Sequence, residues 1–269
     1  MALWFAALLG LIQGLTEFIP VSSTAHLRVA SALAGQQDAG AAYTAVIQLG
    51  TLAAVLAYFA KDLVALAGAM MRDPMSAEAR LPWLIAIGTV PIVVAGLLLK
   101  KHIEGDLRSL YVIATALIVV GVAMAAIDRH AGGRDGRGLA TITYSDAIAI
   151  GLAQMLVLVP GVSRSGATIC MALLLGVARS DAARFSFLLS IPAIAGAGIL
   201  EARKAFAELG GEAVPALAVG IGVAAVVGYA SIAWFLRWLG SHELIGFAVY
   251  RILAGLALFA ALAARLVSP

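Results

Sequence analysis

Charge is what this chain has least of. Asp, Glu, Lys and Arg together make up 12% of its 269 residues, about half the share in an ordinary soluble domain. So little charge cannot cover a water-facing surface, and with a mean hydropathy of +1.01 the chain reads as an integral membrane protein. It also lacks the short alternating segments of an outer-membrane barrel; its apolar runs are long and rich in Ala, Leu and Gly. There is one cysteine, Cys170, which excludes an intrachain disulfide and a cysteine metal cluster. No block of one sign occurs. The net charge of +3 is spread over short loops, where Lys and Arg mark topology, and nucleic acid is not an expected partner. The N-terminus lacks the basic stretch of a signal peptide, so its apolar run is read as part of the mature fold.

What is present is a series of apolar helices, expected at 2–19, 41–60, 81–99, 110–127, 147–159, 167–177, 185–200, 214–239 and 244–267. A span needs about 20 residues, and five or six of these qualify. Two regions do not: 2–34 is cut at Pro20, and 147–177 at Pro160-Gly161. Each reads as a re-entrant hairpin of two short helices joined by a polar turn. Residues 61–80 read as a partly amphipathic connection, and "DRHAGGRDGRG" as a flexible basic linker between two similar halves. Gln13 aligns with Gln154 and Ser22 with Ser163, both offset by 141; Gly88 aligns with Gly220 and Gly96 with Gly228, both offset by 132; Gln48 falls against Ser190. The expected architecture is therefore all-α and membrane-embedded, with about six transmembrane helices and two re-entrant hairpins. Its units are a first repeat over 1–130, a linker over 131–144 and a second repeat over 145–269. Three spans per half invert the second repeat, so that the two polar breaks meet inside the membrane.

Those breaks hold the chain's chemistry. The first, "EFIPVSSTAH", has Pro20 ending one helix and Ser22, Ser23 and Thr24 as N-caps for the next. His26 falls three and four residues after Ser23 and Ser22, placing a base on the face of a serine hydroxyl; Glu17 could orient it. The second, "VPGVSRSGAT", has Ser163 and Ser165 as cap candidates, Arg164 as a planar donor fork suited to phosphate, and Thr168 one turn on. Ionisable groups inside a membrane mark function. Gln13, Gln48 and Gln154 read either as supporting residues or as helix–helix glue.

"QGLTEFIPVSSTAH" and "PGVSRSGAT" resemble the two signature motifs of bacterial undecaprenyl-diphosphate phosphatases of the bacitracin-resistance type, and "FAVYRILAG" near the C-terminus is similar as well. The resemblance implies a hydrolase that removes the terminal phosphate of undecaprenyl diphosphate, recycling the carrier lipid of cell-wall synthesis. It implies Ser23 as nucleophile with Glu17 and His26 as activating partners. Arg164, Ser163, Ser165, Thr168 and Ser22 would bind the diphosphate, with Gln13 and Gln48 in support. It further implies a divalent cation (Mg2+ or Ca2+) with Glu17 as a ligand, a place in the bacterial inner membrane with the site toward the periplasm, membrane lipid as a partner, and room for a homodimer. Many members carry Glu where this chain has Gln13, so a second carboxylate is missing here, and a strict two-carboxylate metal site is less secure. The rival reading is a transporter or flippase for a phosphate-bearing lipid or small anion, which needs no activated hydroxyl.

Overall fold

A computed structural model describes residues 1–36, 40–103, 108–131, 136–209 and 214–267. Among these, no strand forms, and the protein is a bundle of eleven α-helices with two short 3-10 turns. They are α1 (Leu3–Thr16), α2 (Ser23–Leu33), α3 (Gly40–Tyr58), α4 (Ala60–Arg72), α5 (Arg80–Ile103), α6 (Leu110–His130), α7 (Tyr144–Gln154), α8 (Arg164–Leu174), α9 (Arg179–Leu209), α10 (Val214–Leu239) and α11 (Ile245–Ala263).

Length divides them. α5, α6, α9, α10 and α11 each carry a stretch long and apolar enough to cross a membrane; α3 with α4, bent by 73°, makes a sixth candidate. The 14 residues of α1 rise only about 21 Å, against a hydrocarbon core of about 30 Å. With α2, and with the pair α7–α8, α1 therefore forms one of two hairpins too short to cross. The chain is an all-α, multi-pass membrane protein.

Boundaries move from their expected places for identifiable physical reasons. The connection after α3 is helical because Ala60 to Arg72 is strongly amphipathic and lies at an angle to the span before it. α7 starts at Tyr144 because Thr143 and Asp146 make a reciprocal capping box. α9 starts at Arg179, not 185. The Arg179 Nε sits 2.7 Å from Asp128 Oδ1, and Asp128 Oδ2 accepts the Leu244 N–H at 2.7 Å, so one buried carboxylate ties α6, α9 and the start of α11 together. The linker is anchored at its far end. Arg137 donates to the Leu175 and Thr141 carbonyls and to Asp146, while 132–135 lie outside the described residues.

The two halves repeat their contacts. α1 lies along α10 as α7 lies along α5; α3 packs on α9, and α6 on α11. Glycines permit the closest approaches. A Cβ on Gly10 would stand 2.5 Å from the Gly220 carbonyl oxygen, and one on Gly151 would strike the Gly88 carbonyl. Gly10 and Gly151 are offset by 141, Gly88 and Gly220 by 132, so the same helix–helix contact occurs twice.

Gly10→Ala and Gly151→Ala should each lower the thermal midpoint in detergent, by an amount corresponding to about 1–3 kcal/mol of overpacking. Gly96→Ala, which meets nothing within 4 Å, should not. Equal midpoints for all three would show that these helices are not in backbone contact.

Candidate active site

The two breaks fold the same way. Pro20 and Pro160 stop the first helices, and the chain turns through a serine with positive φ. Ser22 and Ser163 both have φ 75°, rare for a non-glycine residue and worth reading as a functional constraint. Each then caps the helix it precedes: Ser22 Oγ accepts the Ala25 N–H at 3.4 Å, and Ser163 Oγ accepts the Gly166 N–H at 3.2 Å. The resuming helices begin at Ser23 and Arg164. Their first N–H groups lack intrahelical acceptors and favour anions.

The breaks meet at a small polar cavity of about 30 Å³, whose walls include Glu17, Ser22, Ser23, Gln48, Ser163 and Arg164. That is room for a water or so. The buried Glu17 carboxylate organises it. Ser23 Oγ donates to Oε2 at 2.7 Å, Gln13 Nε2 donates to the same oxygen at 2.8 Å, and Arg164 Nη2 stands 3.3 Å from Oε1. Arg164 Nη2 also lies 3.5 Å from Gln48 Oε1, and its Nη1 is buried with no hydrogen-bond partner. A serine hydroxyl pointed at a carboxylate, opposite a guanidinium with an unused donor, can deliver a nucleophile to a bound phosphate.

Ser22, Ser23, Glu17, Gln48, Ser163 and Arg164 thus come together as expected, with Gln13 directly behind them. Three predicted residues sit elsewhere. His26 does not bond Ser23: its Nδ1 meets the Ser22 carbonyl at 2.7 Å and its Nε2 meets the Tyr250 hydroxyl at 2.6 Å. The carbonyl can only accept, so Nδ1 carries the proton and Nε2 accepts from Tyr250. Thr168 is fully buried, donates back to the Arg164 carbonyl at 2.8 Å and meets Ser186 at 2.6 Å; a helical threonine satisfies its own turn before reaching outward. Ser165 Oγ lies behind the cavity, 3.2 Å from Ser163 Oγ and 3.4 Å from the Glu17 carbonyl.

Arg251 was not among the expected site residues. Fully buried, it donates to the Pro20, Gly161 and Val162 carbonyls at 3.0, 2.8 and 3.0 Å, bonding the turn of each break. The signal was a lone cation in the apolar run of α11.

The cation implied by the resemblance can be tested against these atoms. Among the described residues no three His, Cys, Asp or Glu side chains converge, so no all-protein cage exists. The donors at hand are hard oxygens, from Glu17, Gln48 and Ser23, and the buried Gln13 Oε1 has no partner. A hard divalent ion held by one carboxylate and completed by substrate phosphate oxygens suits that set.

Fold and site together define a membrane-embedded protein whose polar cavity sets a serine hydroxyl on a carboxylate, opposite a guanidinium. The chain matches the family described as bacitracin resistance protein BacA over residues 6–257. It is 48% identical over 275 residues to the undecaprenyl-diphosphatase of Myxococcus xanthus, covering 100% of this chain and 92% of that protein. To that of Prosthecochloris aestuarii it is 46% identical over 276 residues, with 98% of each covered. To that of Chloroherpeton thalassium it is 48% identical over 270, with 96% and 95% covered. The chain belongs to the BacA family.

Glu17→Gln and Ser23→Ala should each lower kcat by roughly 10²- to 10⁴-fold, the range for losing a positioned base or its nucleophile, and the double variant should be little worse than either. His26→Ala should cost less than Glu17→Gln, because the imidazole touches neither Ser23 nor the cavity. The reverse order in steady-state phosphate release would show that His26 turns inward to act as the base.

Proposed function

We propose that this protein is an undecaprenyl-diphosphate phosphatase of the bacterial inner membrane, with its site open toward the periplasmic side. The observation that carries this reading is the 2.7 Å hydrogen bond from Ser23 Oγ to Glu17 in a cavity whose opposite wall is Arg164. The names of the relatives support it. A lipid substrate also accounts for chemistry placed among apolar helices, since the prenyl chain stays in the bilayer while the head enters a polar cavity.

The cavity's about 30 Å³ is far below the roughly 300–1,000 Å³ of a ligand pocket, so the diphosphate enters as Arg164 parts from Glu17. Arg164 then turns its fork onto phosphate oxygens, joined by the N-termini of α2 and α8. Release from the guanidinium leaves Glu17 free to take the Ser23 proton. Ser23 Oγ attacks the terminal phosphorus, the bond to the bridging oxygen breaks, Glu17 passes the Ser23 proton to that oxygen, and undecaprenyl phosphate leaves. Water then attacks the phosphoserine, its proton passes to Glu17, Glu17 returns one to Ser23, and inorganic phosphate departs. A divalent ion held by Glu17, with Gln13 as a neutral donor, would neutralise charge on the diphosphate. His26, bonded to the Ser22 carbonyl, holds the turn that presents Ser23.

The halves 1–130 and 145–269 are read as inverted repeats joined by 131–144. Such repeats with broken helices also build transporters, but transport alone gives no use for Ser23 against Glu17.

Two measurements on detergent-purified protein test the reading. A long-chain prenyl diphosphate should release inorganic phosphate, more slowly after chelation and faster again with added Mg2+ or Ca2+. Lipid translocation in vesicles with no phosphate release under any of these conditions would favour the transporter. Arg164→Lys should lose most activity at unchanged expression, because a point charge cannot reproduce a bidentate fork; near-normal turnover would reduce Arg164 to bulk electrostatics.

A further inference from the structure

A second concavity lies beside the start of α2. It measures about 260 Å³ and is lined by α2, α6 and α11, with Val29, Leu33, Leu117, Ala254, Leu258 and Ala261 among its walls. Its polar groups are His26 and Tyr250, bonded to each other at one end.

The groove and the polar cavity share no lining residue, but they abut the same two pieces of backbone. On α2, Ser22, Ser23 and Thr24 line the cavity, while the next residues, Ala25 and His26, line the groove; His26 Nδ1 bonds the Ser22 carbonyl across the boundary. On α11, Tyr250 lines the groove while its neighbour Arg251 bonds the Pro20 and Gly161 carbonyls behind the cavity. From that polar end the groove runs away along α11 through Ala254 and Leu258 to Ala261, about 16 Å at helical rise. Its α11 wall includes three alanines, Ala254, Ala257 and Ala261, whose short side chains leave room along that wall.

We infer that this trough takes the first isoprene units of the substrate's chain, with the diphosphate head in the cavity and the His26–Tyr250 pair at the bend between them. The inference rests on the proposed lipid diphosphate substrate. An apolar chain gains little hydrophobic free energy by leaving lipid for such a trough, since lipid tails are equally apolar. What the trough supplies is position: a chain seated there holds the head against Ser23 and limits its freedom to withdraw. The pair of polar groups at the bend gives the linking oxygens of the head a place to pass without facing hydrocarbon.

The geometry makes the trough a ruler. Ala254→Trp blocks it near the head, Ala261→Trp far from it. Each variant, with Val226→Trp on an exposed face of α10 as control, is assayed with prenyl diphosphates of increasing length. Ala254→Trp should lower kcat/KM from the short chains upward, by about tenfold or more. Ala261→Trp should spare the shortest chains and lose only those long enough to reach it, and Val226→Trp should leave the length profile unchanged. Losses independent of length, or no loss at either position, would overturn the proposal.

A second measurement stands apart from turnover and from the folding of variants. A prenyl phosphate bearing a photoreactive group on its chain, crosslinked to the unmodified protein, should label peptides of α2 and α11 containing Val29 and Ala254–Ala261. Unlabelled prenyl diphosphate should compete and phospholipid should not. Labelling elsewhere, or equal competition by phospholipid, would mean that bulk lipid alone fills the trough. If the unmodified protein releases no phosphate from any substrate, the phosphatase reading fails while the labelling still decides the trough.

Discussion

Arg251 and the carbonyls it bonds are the constraint on which the site depends. Breaking a helix inside a membrane strips its turn of hydrogen-bond partners, and each unsatisfied polar group in hydrocarbon costs several kcal/mol. Here two helices break, at Pro20 and at Pro160-Gly161, and one guanidinium on α11 satisfies carbonyls from both. That shared donor does more than repay desolvation. It fixes one turn against the other, so the helix starts that follow, at Ser23 and Arg164, are held at a set separation. Glu17 completes the arrangement from the first break, in contact with both residues.

The repeat explains how Ser23 and Arg164 come to face each other. An offset of 141 carries Ser22 onto Ser163 and Ser23 onto Arg164, so the same turn and the same first helical position occur twice. The chemistry then diverges. Glu17 falls on Leu158 and His26 on Ala167, leaving the carboxylate and the imidazole in one half only. Gln13 and Gln154 are both fully buried. Gln13 donates to Glu17, whereas neither polar atom of Gln154 has a partner among the described residues. The same turn thus presents a hydroxyl, Ser23, in one half and a guanidinium, Arg164, in the other.

Much of this was legible in the residues. Proline, a Pro-Gly turn and serine caps are local signals, and they located both breaks; a cation or carboxylate amid apolar runs is informative because hydrocarbon tolerates so few. What could not be read was direction. Spacing put His26 on the face of Ser22 and Ser23, but a carbonyl one turn back and a tyrosine more than two hundred residues away set where its ring points. Thr168 looked like a phosphate ligand until its own helix and Ser186 claimed the hydroxyl. Arg251 was visible as a lone charge in α11, yet its acceptors are backbone carbonyls, which carry no side-chain signature. The anchoring of the linker was likewise decided by the contacts of Arg137 with Leu175, Thr141 and Asp146, not by local propensity.

The central claim is that Ser23, activated by Glu17 and opposite Arg164, is the attacking group. Rapid quenching of the enzyme during turnover of a lipid diphosphate labelled in its terminal phosphate tests it most directly. The account predicts a covalent phosphoenzyme that survives acid, is cleaved by alkali, maps to Ser23 and disappears in Ser23→Ala. An acid-labile phosphate on His26, or turnover with no phosphoenzyme at any quench time, would contradict it.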